Sequence, residues 1–247
     1  MTSPAQRHMM RVSAIETAQR ENNPLRHATA YEQMLVKLAA DQRTLKAIFG
    51  KELKATKKRE LLPFYLPWVS GVLEQGKGAQ DDIVMTVMLW RLDVGDIGGA
   101  MDIARYAFKY GLTMPGKPRR PPQYMFTEEV ALAAMRAHAA GEPVVISQLL
   151  DTLALTAAAD MPDEVRAKLH KITGQVLRDN KQPADALAHL RRAMQLDCQA
   201  GVKKDIERLE RELKPKPATV VKAPVRAPRA VKTTAPAKRG RPKKTAG

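Results

Sequence analysis

Apolar residues recur through most of this chain at intervals of three and four, and that spacing restricts the fold more than any other feature. Tyr31, Met34, Leu35, Leu38, Leu45, Ile48, Phe49 and Leu53 form one such series, which places them on one side of a helix. Pro24 and the pair Asn22-Asn23 mark the break before it. Alternating β-branched runs are scarce, so the pattern predicts an all-α fold. Hydrophobic residues make up 44% of 247, enough for a sizeable core.

Two helical hairpins stand out. Asp81 to Leu92 forms a helix, Val94-Gly95-Asp96 a turn, and Gly99 to Tyr110 a second helix. Pro162 to Leu177, Asp179 to Pro183 and Ala184 to Leu196 repeat the plan. Ala100, Ala104 and Ala107 match Ala186, Leu190 and Ala193 in spacing. The hairpins are thus partly tetratricopeptide-like, although ordinary antiparallel packing also needs small residues at a crossing. Leu61 to Trp68, punctuated by Pro63 and Pro67, reads as a connection packed on the core or as a docking patch. Pro115 to Gln123 is a loop carrying Lys117, Arg119 and Arg120. Thr127 reads as the N-cap of the next helix, with Glu128 and Glu129 in its first turn, and Gly141-Glu142-Pro143 ends that helix. Val202 to Leu213 is a short amphipathic helix.

The net charge of +16 is unevenly spread. Residues 1–60 hold 12 Lys/Arg against 6 Asp/Glu, residues 61–213 hold 19 against 20, and residues 214–247 hold 11 against none. This divides the chain into a basic helical DNA-binding segment (1–60), a neutral helical core and assembly domain (61–213), and a basic tail (214–247). The tail has six prolines from Pro215 on and too little apolar surface to offset the entropy of ordering, so it is expected to be disordered. Its ending, Lys238-Arg239-Gly240-Arg241-Pro242-Lys243-Lys244, resembles an AT-hook. In such a run glycine lets the backbone approach the minor-groove floor, and arginines seek its negative potential. A solubilising tail or a nuclear localisation signal has the same composition.

A polyanionic partner is implied, either nucleic acid or a membrane surface. No stretch of about 18 apolar residues is present, so no spanning helix is expected. Arg43, Lys46, Lys51, Lys54, Lys57, Lys58 and Arg59 are the candidate phosphate contacts in the first segment, the competing reading being a solvated helix face. Gly50 offers a turn, yet no clear recognition helix follows Lys57-Lys58-Arg59, so no helix-turn-helix is assigned.

Catalytic signatures are missing. No phosphate-binding loop, nucleophile elbow or zinc spacing occurs. The single cysteine, Cys198, excludes an internal disulfide and suits a reducing cytoplasm. The only carboxylates placed to hold Mg²⁺ for a nuclease are Asp81-Asp82, Asp93 with Asp96, Asp102 and Glu128-Glu129, and caps and solvated turns explain most of them. No cofactor is expected unless the chain is itself the nuclease, in which case Mg²⁺ is.

Several segments resemble the small terminase subunit of temperate, contractile-tailed enterobacterial phages. They are Tyr31-Glu32-Gln33-Met34-Leu35, Leu38 to Arg43, Lys57 to Phe64, Gly76 to Asp82, Arg105 to Leu112 and Tyr124 to Glu129. The likeness covers about residues 1–215. It implies a homo-oligomer in the host cytoplasm that recognises a cohesive-end packaging site on concatemeric double-stranded viral DNA. It also implies recruitment of a large ATPase subunit. The family is also described as the endonuclease subunit, so catalysis in this chain stays open, with unknown catalytic residues. A helical scaffold tethered to DNA by its tail is a third reading.

Overall fold

A computed structural model of the chain describes residues 3–18, 28–116 and 120–214. The break at Asn22 to Pro24, the basic loop residues Lys117 and Arg119, and the tail with its run Lys238 to Lys244 lie outside the described residues. Among the described residues there are ten helices and no strand: α1 (Pro4–Ala18), α2 (Ala28–Ala47), α3 (Lys51–Gln75), α4 (Asp82–Asp93), α5 (Ile97–Tyr110), α6 (Pro122–Ala139), α7 (Ile146–Leu155), α8 (Asp163–Asp179), α9 (Pro183–Leu196) and α10 (Lys203–Leu213). The all-α expectation holds.

The core is built around α4. Ile83, Val84, Met85, Thr86, Val87, Met88, Trp90 and Leu92 are all buried. A helix apolar on every side must be enclosed, and α4 is packed by α2, α3, α5 and α6. Asp81 starts it, its side chain accepting hydrogen bonds from the backbone N–H groups of Ile83 and Val84. The same device starts α5, where Asp96 accepts from the Gly99 N–H. These two caps set the first hairpin where the sequence puts it. A smaller cluster, including Leu177, Leu187, Leu190, Ile206 and Leu209, joins α8, α9 and α10.

The two hairpins do not stack as successive repeats. No helix of the first touches a helix of the second, and α6 and α7 lie between them. The tetratricopeptide-like part of the expectation therefore finds no support. Each hairpin closes for local reasons, as where a Cβ on Gly174 of α8 would meet Leu190 Cγ of α9 at 2.7 Å.

Three further local expectations are corrected. Leu61 to Trp68 is not a connection: it continues α3, with Pro63 and Pro67 inside the helix. Each internal proline costs about 3 kcal/mol. Against that, Tyr65 and Trp68 are fully buried, and an aromatic of that size removes ~200 Å² from water, worth about 5 kcal/mol. The carbonyls that lose donors belong to Arg59 and Pro63, both exposed, where water can replace them. Thr127 does not cap α6. The helix begins at Pro122 and the Thr127 hydroxyl donates back to the Gln123 carbonyl. The apolar series from Tyr31 to Leu53 is two helices, broken at residues 48–50. Apart from these, α1 has a capping box, Ser3 N–H to Gln6 Oε1 at 2.8 Å and Gln6 N–H to Ser3 Oγ at 3.2 Å, and it packs on α3.

Candidate nucleic-acid interface

The corner between α2 and α3 carries the basic cluster, and three contacts fix it in place. Tyr65 Oη donates to Asp41 of α2 at 2.6 Å, Tyr31 stacks on Trp68 with ring centroids 5.8 Å apart, and Met34, Leu38 and Leu45 are buried. The chain then leaves α2 through Ile48, Phe49 and Gly50 and re-enters a helix at Lys51. Lys51, Lys54 and Lys58 follow at helical spacing, so they share one side of the first turns of α3.

Two grooves flank these lysines. A shallow one of about 370 Å³ is lined by Gln42, Leu45, Lys46, Lys54, Lys58 and Trp90. It has three cations and no carboxylate. The other, of about 580 Å³, lies between α3 and α6 and includes Lys51, Lys54, Lys58, Arg59 and Arg136, but also Glu52, Asp93, Glu129 and Glu142. Its charges nearly cancel, so it offers a polyanion little. The shallow groove and the adjoining Lys51 form the face with net positive charge.

The predicted phosphate contacts therefore divide. Lys46, Lys51 and Lys54 have no carboxylate at ion-pair distance among the described residues. Lys57 pairs with Glu60 at 2.8 Å, a bond that raises its pKa. Lys58 pairs with Asp93. Arg59 donates to the Val94 carbonyl at 3.4 Å and Arg43 to the Ala39 carbonyl at 3.3 Å. The sequence shows these cations but not their partners: Lys58 and Asp93 are 35 residues apart.

Two apolar residues counted in the helical series are not core. Phe49 is 96% exposed and Leu53 66%. The break at residues 48–50 turns them outward beside the lysines, and the regular spacing on either side hid it.

The candidate carboxylates are spread through the fold. Asp81 is buried, capping α4 and accepting from the Trp68 indole. Asp82 accepts from Gln80 and Asp96 from Arg91. Asp102 lies 3.8 Å from Arg105, and Glu128 pairs with Arg120 at 2.9 Å. Glu129 is half-buried, and burial, with Asp93 nearby, pushes its carboxyl up. Among the described residues no three of these types converge on one metal position, and no helix is long and apolar enough to cross a membrane.

The fold and this corner describe an all-helical protein with a cationic, acid-free surface held on a buried helical core. Residues 35–164 match the model of the phage small terminase subunit family, and the chain belongs to that family. It is 79% identical over 246 residues to a protein of Escherichia phage P2 named "Terminase, endonuclease subunit", with all of both chains covered. No solved structure matches it. Membership places the chain in a terminase complex, which in general brings a small subunit together with a large subunit and viral DNA.

Proposed function

We propose that this chain is the recognition subunit of its terminase. It binds the cohesive-end packaging site on concatemeric DNA and brings the large ATPase subunit there. The observation that carries this reading is the acid-free groove at the α2–α3 corner, where Lys46 and Lys54 have no carboxylate partner among the described residues while Lys58 is held by Asp93. Lysines without internal partners keep their counterions until a phosphate displaces them, and that release drives binding. The tail run Lys238 to Lys244 adds minor-groove contacts outside the described residues. Homo-oligomerisation multiplies a patch of a few lysines into a useful avidity, and the work is done in the host cytoplasm. The P2 protein is named for cutting. Because most of the candidate carboxylates here serve as caps or ion pairs and no three of the described ones converge on one metal position, we assign cutting to the assembled complex, with Mg²⁺ required of this chain only if it cuts alone.

The test is the salt dependence of binding to a duplex carrying the packaging site. Replacing Lys46, Lys51 and Lys54 with Ala is expected to weaken binding and to flatten the slope of log K against log salt by up to about 2.7, at roughly 0.9 per phosphate contact. An unchanged slope refutes this corner as the interface. Cleavage by the purified chain without the large subunit refutes the assignment of cutting to the complex.

A further inference from the structure

We propose that Phe49, with Leu53 beside it, is a wedge that enters a base step of the duplex and kinks it while Lys46, Lys51 and Lys54 hold the phosphates on either side. This rests on the reading of the α2–α3 corner as the DNA interface and adds a mechanical role to it.

Three observations carry the inference. First, Phe49 is 96% exposed and lies in the non-helical residues 48–50 between two anchored helices. An isolated exposed apolar residue is ordinary. An aromatic at a projecting corner, with a 66% exposed leucine one turn on, is a small apolar prow. Leu53 lies against this turn: a Cβ on Gly50 would meet Leu53 Cδ1 at 3.6 Å. Second, the support is packed into the core. Leu45, just before the corner, is buried, and Trp90 floors the neighbouring groove at 5% exposure. A wedge works only if its base does not yield. Third, cations outnumber acids beside the prow: Lys46 precedes it, and Lys51 and Lys54 follow it, against the single carboxylate of Glu52.

That excess of positive charge selects the occupant. A second copy docking through the same surface would bring two sets of lysines together, an arrangement that like-charge repulsion opposes. Duplex DNA meets both requirements: phosphates for the lysines and an apolar, stackable interior for the ring. Architectural proteins combine these elements, inserting an apolar side chain at a partly unstacked step and gaining wrapped surface from the bend. A kink also supplies selectivity without base contacts, because pyrimidine–purine steps deform most easily.

The test uses the full chain and a short duplex bearing the packaging site, labelled at both ends for energy transfer. The wild-type chain is expected to shorten the end-to-end distance. Phe49→Ala, an exposed change that leaves the core intact, is expected to abolish the shortening and weaken binding about tenfold. It should leave the salt slope unchanged, since no cation is removed. Phe49→Trp gives a direct report. Trp68 and Trp90, the two native tryptophans, are buried, so quenching of the new indole on adding duplex marks stacking. No bending by the wild type, an unaltered bend with Phe49→Ala, or an unquenched indole at position 49 overturns the wedge. So does Phe49→Ala that bends DNA normally but loses self-association or capture of the large subunit. The lysine variants separate the two claims. If they leave the salt slope intact, the corner is not the phosphate site; if they flatten it while Phe49→Ala bends DNA normally, only the wedge fails.

Discussion

The indole N–H of Trp68 donates to Asp81 Oδ2 at 2.7 Å, joining the middle of α3 to the first residue before α4. The other oxygen of that carboxylate accepts the Ile83 and Val84 N–H groups. Both residues are buried, so one side chain caps the central helix and satisfies the largest aromatic of the core. Asp81→Ala is expected to cost about 3 kcal/mol, leaving buried donors unpaired. Trp68→Phe removes the donor and leaves a buried carboxylate oxygen bare. Their double variant should cost less than the two single costs together by about 1 kcal/mol or more, measured by urea unfolding. Strict additivity would mean that the contact does not couple the helices.

The packing of α1 on α3 depends on Gly71. A Cβ there would stand 2.6 Å from the Arg11 backbone oxygen and 3.1 Å from Ala14 Cβ. The nearest obstacle is backbone, which cannot swing aside. Gly71→Ala would gain about 1 kcal/mol of helix propensity at an open site, but here a net loss of about 1–2 kcal/mol is expected from overpacking. Protease cleavage within residues 3–18 should quicken before the rest of the body is cut. A stabilised Gly71→Ala protein would refute the close crossing.

The pH dependence of stability carries two opposed contributions. Burial raises the Asp81 carboxyl from 3.8 to about 6. The folded state then holds a proton that the unfolded state has released, so this group favours folding progressively more as pH falls from 6 to about 4. His170 and His189 contribute with the other sign. Their Nδ1 atoms are 3.0 Å apart, a contact for one donor and one acceptor, with both rings neutral. Burial, then His189, Arg192 and Arg166, lowers His170 to about 4; burial also lowers His189, against Asp185. Their contribution is complete above about 6.5 and is lost as pH falls toward 4. Asp81→Asn is therefore expected to steepen the loss of stability on acidification, and His170→Gln to flatten it. Denaturant midpoints at pH 7, 5.5 and 4.5 distinguish the two signs.

What the sequence disclosed and what it hid follow from one physical distinction. Features written in neighbouring residues were legible. The Asp81 and Asp96 caps placed the first hairpin, and small residues where helices cross marked both, within a few positions. The Ser3–Gln6 capping box was equally local, but few apolar residues follow it, so α1 left no strong periodic trace. Features decided by distant partners were not legible. Pro63 and Pro67 read as a connection because the compensating burial of Tyr65 and Trp68 is a tertiary fact. Phe49 and Leu53 kept helical spacing across a break marked only by Gly50. The basic residues of the corner were all visible, but not which of them the fold itself neutralises.

The tail enters through charge alone. Residues 215–247 hold ten Lys/Arg and no acid. Their deletion is expected to weaken binding to any duplex and to lower the salt slope by up to about 9, at roughly 0.9 per contact. Preference for the packaging site over unrelated DNA should survive, since a minor-groove arm reads chiefly A·T content and groove width. Competition titrations at several salt concentrations measure both quantities. Loss of site preference would transfer recognition from the helical body to the tail.

Neutralisation of Lys58 by Asp93 makes a further prediction with an unusual sign. The Lys58 side chain is only 14% exposed and lies in both grooves, with its ammonium on the Asp93 carboxylate. Asp93→Ala removes a carboxylate from the edge of the cationic face and releases Lys58 toward solvent. DNA binding is then expected to strengthen and the salt slope to steepen by up to about 0.9, the value for one added phosphate contact. Glu129 tempers this, because it faces the same lysine and feels Asp93 as its neighbouring like charge. Once Asp93 is gone, Glu129 ionises more readily and can take its place. Asp93→Ala combined with Glu129→Gln should therefore bind more tightly than Asp93→Ala alone. Weaker binding by both variants would mean that Lys58 serves only to hold α3 against the α4–α5 turn.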